Sequence, residues 1–127
     1  MIEMNSFNRE PVNLKNKILG KFRDVYKSSW WVLGKNVDKF ENKWAKKINT
    51  KYCAAVANGL DALEIGMKAL DIKNGDEVIT TPLTAFASTL SIINIGAIPV
   101  FIDVDENGLL NLNEIEKKVT KKTKAVL

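Results

Sequence analysis

The sequence reads Tyr52-Cys53-Ala54-Ala55-Val56-Ala57-Asn58-Gly59-Leu60-Asp61-Ala62-Leu63 where a short apolar run passes directly into a helical pattern. The nearly unbroken apolar run at 52–57 predicts a strand that is buried on both faces. The pattern that follows predicts a helix from Gly59 to Leu70.

The rest of the chain after this stretch alternates between the same two patterns. We expect strands at 78–81, 98–103 and 124–127, with helices at 84–95 and 113–119 between them; Gly96 ends the first of these helices, and Asn113 caps the second. Strands that alternate with helices in this way predict βαβ units. The sequence therefore predicts an α/β fold, with a parallel sheet and helices packed on its faces.

The first fifty residues have a different character. Apolar residues at helical spacing predict helices at 13–29 and 36–48, after an extended lead-in at 1–12. We therefore divide the chain into a helical segment, 1–50, and βαβ units, 51–127. The last predicted strand has no helix after it to cover it, so we expect residues 1–127 to be the first part of a larger domain.

Composition excludes several classes of function. The chain has no histidine, which excludes a Ser-His-Asp triad and a histidine-ligated zinc site within it. Its one cysteine, Cys53, excludes an internal disulfide and fits a reducing compartment. No apolar run reaches the roughly 20 residues of a membrane helix, and the N-terminus has no signal pattern. We expect a cytoplasmic protein without a metal site.

The net charge of +4 does not predict binding to nucleic acid. The positive charge is almost all lysine, because the only arginines are Arg9 and Arg23. The lysines are interleaved with acidic residues along helical patterns, which is typical of solvated helix faces.

The turn between the run at 52–57 and the following helix is a candidate anion site. Asn58 is a good N-cap, Asp61 can pair with it, and Gly59 has no side chain to block a ligand. The free N–H groups of a first helical turn attract anions. A capped helix that binds nothing explains the same residues, and spacing alone slightly favours it. The turn matches neither GxxxxGK[ST] nor GxGxxG.

Five stretches together resemble the DegT/DnrJ/EryC1/StrS family of pyridoxal-phosphate-dependent sugar aminotransferases. They occur in the order and at the spacing of that family, from about residue 10 to Leu127. The stretches are Trp30-Trp31-Val32-Leu33-Gly34, Phe40-Glu41, Asn58-Gly59-Leu60-Asp61-Ala62-Leu63, Gly75-Asp76-Glu77-Val78-Ile79-Thr80-Thr81-Pro82 and Gly96-Ala97-Ile98-Pro99-Val100-Phe101-Ile102-Asp103-Val104-Asp105.

The resemblance implies the start of the large domain of a fold-type-I enzyme, and a homodimer with active sites at its interface. It implies pyridoxal 5′-phosphate (PLP) as cofactor, with its phosphate held by the backbone amides of Gly59 and Leu60. The family usually has threonine at position 60, so Leu60 removes a hydroxyl but no backbone donor.

The resemblance also indicates residues near the ring of the cofactor and near the substrate. In relatives an aromatic residue stacks on the pyridine ring, and its position falls at Ala85 in this sequence. Either the stacking contact is weakened here, or Phe86, one residue later, makes it; the alternative for Phe86 is plain core packing. Trp30 and Trp31 match a segment that lies near the active site and the dimer interface in relatives, which makes Trp31 a candidate substrate-binding residue. The alternative for Trp30 and Trp31 is burial between helices.

The implied reaction transfers an amino group, typically from glutamate, to a keto-sugar nucleotide in polysaccharide or deoxysugar biosynthesis. We assign no catalytic residue to this chain, because the lysine that the family uses is expected beyond Leu127. We therefore expect residues 1–127 alone to be inactive. Three alternatives stay open: a PLP-dependent sugar dehydratase with histidine in place of that lysine, a non-catalytic remnant or partner module, and a generic nucleotide-binding domain.

Overall fold

The structure is a computed structural model that describes residues 10–127. Most of the lead-in predicted at 1–12 therefore lies outside the described residues. Arg9 also lies outside them. The chain packs as two compact units, which meet in sequence between Ala55 and Val56.

The first unit contains two helices, α1 (Val12–Ser28) and α2 (Lys35–Lys47). Both begin and end within one residue of the predicted bounds. Helix α1 ends where Ser29 adopts a left-handed conformation, with φ of 52°. The carboxylate of Glu41 in α2 accepts a hydrogen bond from the backbone N–H of Ala55, at 2.7 Å. This bond ties the end of the unit back to α2.

The second unit is a three-stranded parallel sheet with three helices. Its elements are α3 (Gly59–Ala69), β1 (Glu77–Thr80), α4 (Phe86–Asn94), β2 (Ile98–Phe101), α5 (Leu112–Lys118) and β3 (Thr123–Val126). The strand order is β2-β1-β3, and Val78 at the centre pairs with Pro99 on one side and Ala125 on the other. The predicted parallel sheet is confirmed.

The core of this unit lies between β1 and the two helices α3 and α4. Val78 is fully buried and packs in one cluster with Met67 of α3 and Ile92 of α4, together with Ile72 and Ala97. Side chains alternate between the two faces of a strand, so Val78 shows that both helices cover the same face of β1.

The strand predicted at 52–57 is wrong. These residues form no strand, and all of them are exposed except the half-buried Cys53. A strand needs a partner for its backbone hydrogen bonds, and β1 already has β2 and β3 as its two neighbours. An apolar run can have the pattern of a strand, but that pattern does not specify which sheet edge would pair with it.

The N-cap predicted for the last helix is also wrong. The helix begins at Leu112, and the side chain of Asn111 accepts a hydrogen bond from the backbone N–H of Asn113, at 3.1 Å. Two asparagines two residues apart can each cap a helix, and sequence alone does not choose between them.

The carboxylate of Asp105 holds the turn at Glu106-Asn107-Gly108. One oxygen of this carboxylate accepts from the backbone N–H groups of Leu109, at 3.0 Å, and Asn107, at 2.9 Å. The N–H of Leu109 is the main reason that the pKa of Asp105 lies below its usual range. Gly108 has a φ of 76°, in the left-handed region that favours glycine.

Gly96 ends α4 in the left-handed conformation that was predicted for a C′ glycine, with φ of 80°. A Cβ atom here would lie 3.3 Å from the backbone Cα of Asn74. We therefore expect Gly96→Ala to lower the free energy of unfolding of the full-length protein by about 1–2 kcal/mol. Gly20→Ala is the matched control, because a Cβ at Gly20 meets no atom within 4 Å. It should be neutral or stabilise α1 by up to about 1 kcal/mol in urea denaturation. Equal effects of the two changes would contradict the strain at Gly96.

Candidate anion-binding site

The first turn of α3 is capped as the sequence predicts. The side-chain oxygen of Asn58 accepts a hydrogen bond from the backbone N–H of Asp61, at 2.9 Å. The side-chain amide of Asn58 in turn donates to the carboxylate of Asp61, at 3.2 Å. The pair differs from a capping box, because the acidic residue accepts from the side chain of the cap and not from its backbone N–H.

Two backbone donors of this turn stay free. Among the described residues, no hydrogen bond uses the N–H of Gly59 or of Leu60. A Cβ atom at Gly59 would meet no atom of residues 10–127 within 4 Å, so these residues leave the space in front of the donors open. The positive end of the helix dipole lies at the same place. The turn can therefore accept an anion through two backbone N–H groups.

Helix α4 begins at the same end of the sheet as α3. It follows the carboxyl end of β1 and ends beside the segment that leads from α3 into β1, where the backbone N–H of Gly75 donates to the carbonyl of Gly96, at 3.0 Å. The side chain of Asn94 in α4 also donates to the carboxylate of Glu64 in α3, at 2.6 Å. The two helices therefore run in the same direction along one face of β1. Within the described part of the chain, no side chain caps the N-terminus of α4.

Ala85 and Phe86 lie at this N-terminus. Ala85 is the N-cap residue of α4, and Phe86 is its first residue. The ring of Phe86 is 75% exposed, so it is not packed in the core of the described residues. Core packing, the alternative interpretation of Phe86, is therefore not what the structure shows.

Thr80, the last residue of β1, is not among the site residues predicted from the sequence. Thr80 is 1% exposed, and its hydroxyl has no hydrogen-bond partner among the described residues. It shares the face of Val78 by strand alternation, so its side chain points toward the layer of α3 and α4 at the end where both helices begin. A polar residue inside the apolar run Val78-Ile79-Thr80 was the available signal.

Trp31 lies in the first unit, beside the aromatic residues of α1. Its ring lies edge-on to Tyr26, with centroids 5.5 Å apart, and 6.2 Å from the ring of Phe22. Trp30 and Trp31 are each 54% exposed, so burial between helices does not describe them in this structure. Trp31 also lines a groove of about 680 Å³ with Ile18, Phe22, Val25 and two lysines, Lys17 and Lys21.

Within residues 10–127, no three acidic, cysteine or histidine side chains converge on a point where they could hold a metal ion. None of the described helices is both long and apolar enough to cross a membrane.

The fold of the described residues is shared by solved aminotransferases. The structure matches Spr1654 from Streptococcus pneumoniae, described as a sugar aminotransferase and solved in its PLP form, with a TM-score of 0.81 and 27% sequence identity. The match covers 85% of this chain and 28% of that one. The chain belongs to the DegT/DnrJ/EryC1/StrS aminotransferase family, whose sequence model matches residues 12–127.

The chain is also similar to curated relatives that are named for different nucleotide sugars. The chain is 47% identical over 105 residues to dTDP-3-amino-3,6-dideoxy-alpha-D-galactopyranose transaminase of Aneurinibacillus thermoaerophilus, a match that covers 81% of this chain and 29% of the relative. It is 42% identical over 102 residues to GDP-perosamine synthase of Escherichia coli O157:H7, covering 78% of this chain and 28% of the relative. The chain thus spans less than a third of the length of either relative.

Proposed function

We propose that the chain forms the N-terminal part of the large domain of a PLP-dependent aminotransferase that acts on a keto-sugar nucleotide. The observation that carries the proposal is the pair of free N–H groups at Gly59 and Leu60, in front of open space at the start of α3. The family and the PLP form of a similar structure support this cofactor. The division into a helical segment at 1–50 and βαβ units at 51–127 is part of the same proposal.

The turn at the start of α3 fits the phosphate group of PLP. A phosphate offers several acceptor oxygens and negative charge, and the turn offers two donors and the positive end of a helix dipole. The absence of a side chain at Gly59 lets the phosphate approach both donors. Leu60 donates through its backbone, so the missing threonine hydroxyl does not prevent binding.

Ala85 and Phe86 are proposed to lie beside the ring of PLP. They stand at the start of α4, at the same end of the sheet as Gly59. The exposed ring of Phe86 is free to stack on the cofactor, which Ala85 cannot do with its methyl group. When bound, PLP supplies an aldehyde on an electron-withdrawing ring, which carries the amino group between donor and acceptor.

Trp31 is proposed to contact the sugar nucleotide. Its indole is half-exposed and is held by Tyr26 and Phe22, so it offers a positioned apolar face. The curated relatives are named for a dTDP-sugar and for a GDP-sugar, so the shared substrate class is a nucleoside-diphosphate sugar. We further propose glutamate as the amino donor, a homodimer, and a place in the cytoplasm.

The proposed function is tested by measuring whether the nitrogen of glutamate is transferred to a sugar nucleotide. The full-length protein, loaded with PLP, is incubated with ¹⁵N-glutamate and a panel of dTDP-, GDP- and UDP-linked keto-sugars. We expect ¹⁵N in the sugar nucleotide recovered by mass spectrometry, for one or a few members of the panel. Loss of a hydroxyl without nitrogen would indicate the dehydratase instead. No change in any member would contradict both enzymatic interpretations.

A further inference from the structure

The side-chain cap of α3 does not use the backbone N–H of Leu60, one of the two donors that a bound anion needs. An N-cap oxygen accepts from the backbone N–H of either the second or the third helical residue. In α3 these residues are Leu60 and Asp61, and the oxygen of Asn58 accepts from Asp61, at 2.9 Å. If the oxygen turned to Leu60 instead, the cap would compete with a bound anion for the same N–H.

A second contact fixes this choice. The side-chain nitrogen of Asn58 donates to the carboxylate of Asp61, at 3.2 Å. A carboxamide has an acceptor at one end and donors at the other, so a partner for the nitrogen determines where the oxygen points. The carboxylate of Asp61 therefore holds the oxygen of Asn58 over the third N–H of the helix and away from the second.

An independent feature indicates that a polar ligand belongs at this end of the sheet. The hydroxyl of Thr80 is buried, has no partner among the described residues, and points toward the layer of α3 and α4 where both helices begin. Buried polar groups without a partner are rare in folded proteins. An anion with its ordered water at the start of α3 would bring acceptors and donors toward this hydroxyl.

We propose that Asp61 is a positioning residue for the phosphate of the cofactor, acting through the side chain of Asn58. This inference rests on the proposed function, because it takes the phosphate of PLP as the ligand of the turn. The negative charge of Asp61 weakens binding of the phosphate by repulsion, whereas its hydrogen bond to Asn58 strengthens that binding by keeping the N–H of Leu60 free. The two effects have opposite signs, so substitutions can separate them.

The test compares Asp61→Ala with Asp61→Asn in the full-length protein. The dissociation constants of PLP and of pyridoxal, which lacks the phosphate, are measured by absorbance titration. Asp61→Ala loses both the hydrogen bond to Asn58 and the charge, and we expect the loss of the hydrogen bond to outweigh the loss of repulsion. PLP binding should weaken by up to about five-fold, the size of one lost hydrogen bond, and pyridoxal binding should stay unchanged. Asp61→Asn keeps an acceptor for the amide of Asn58 and loses the charge, so it should bind PLP as tightly as the wild type or more tightly.

Controls keep the result specific. Unchanged binding of pyridoxal shows that the Asp61→Ala variant is folded. Asp71→Asn removes one negative charge beyond the C-terminus of α3, where Asp71 is exposed, and should leave both constants unchanged. The phosphorus-31 resonance of bound PLP should move in Asp61→Ala and stay in place in Asp61→Asn.

Two results would overturn the inference. If both Asp61 variants bind PLP more tightly, charge alone determines the effect; if both match the wild type, the cap of Asn58 does not depend on Asp61. Either result leaves the proposed function intact, provided that the wild type prefers PLP to pyridoxal. A wild type without that preference would instead contradict the phosphate site itself.

Discussion

Gly59→Asp is expected to weaken the binding of PLP to the full-length protein by on the order of 100-fold. The new carboxylate would stand at the first residue of α3, in the open space that we assign to the phosphate. It would repel the phosphate and block at least one backbone donor, and a hydrogen bond to a charged group contributes about 1.5–3 kcal/mol. The dissociation constant can be measured from the absorbance of bound PLP.

Gly66→Asp is the matched control for this change. Gly66 lies on the same helix, about two turns later, and a Cβ atom there also meets no atom within 4 Å. The control introduces the same charge on α3 away from its first turn, so PLP binding should be nearly unchanged. Unaltered affinity of the Gly59→Asp variant would show that the phosphate does not bind at this turn.

Ile92→Ala is expected to lower the free energy of unfolding by about 2–5 kcal/mol. Ile92 is 0% exposed and packs with Val78 and Met67 in the cluster that joins α4 and α3 to β1. Removing most of its side chain leaves a cavity that the surrounding residues can fill only in part. Urea denaturation of the full-length protein measures the change.

The neighbouring Ile93 supplies the comparison for Ile92. Its side chain is 53% exposed on the same helix, so Ile93→Ala should cost well under half as much. A larger loss for Ile93 than for Ile92 would mean that the buried face of α4 is not the one that packs on β1.

Much of the fold follows from local sequence patterns. The run Val78-Ile79-Thr80 has the apolar character of a buried strand, and it forms β1 as predicted; the structure places β1 between β2 and β3. Gly96 ends a helix because only glycine adopts its left-handed conformation at little cost. The run at 52–57 shows the limit of such patterns, since pairing depends on a second strand that the pattern does not specify.

The candidate site was predictable in part. Asn58 and Gly59 were found because a cap followed by glycine is a local signal, and the structure confirms the cap. The N–H that the cap uses was not predictable, because an N-cap oxygen can reach either of two donors. The buried hydroxyl of Thr80 was not predictable for a related reason. Only the packing of α3 and α4 shows that this hydroxyl is buried without a hydrogen-bond partner among the described residues.

The central claim is that the start of α3 holds the phosphate of PLP. The most direct measurement is a crystal structure of the full-length protein with PLP bound. We predict phosphate oxygens within hydrogen-bond distance, about 2.7–3.2 Å, of the backbone nitrogens of both Gly59 and Leu60. A bound PLP whose phosphate lies elsewhere, with these two donors facing only water, would contradict the claim.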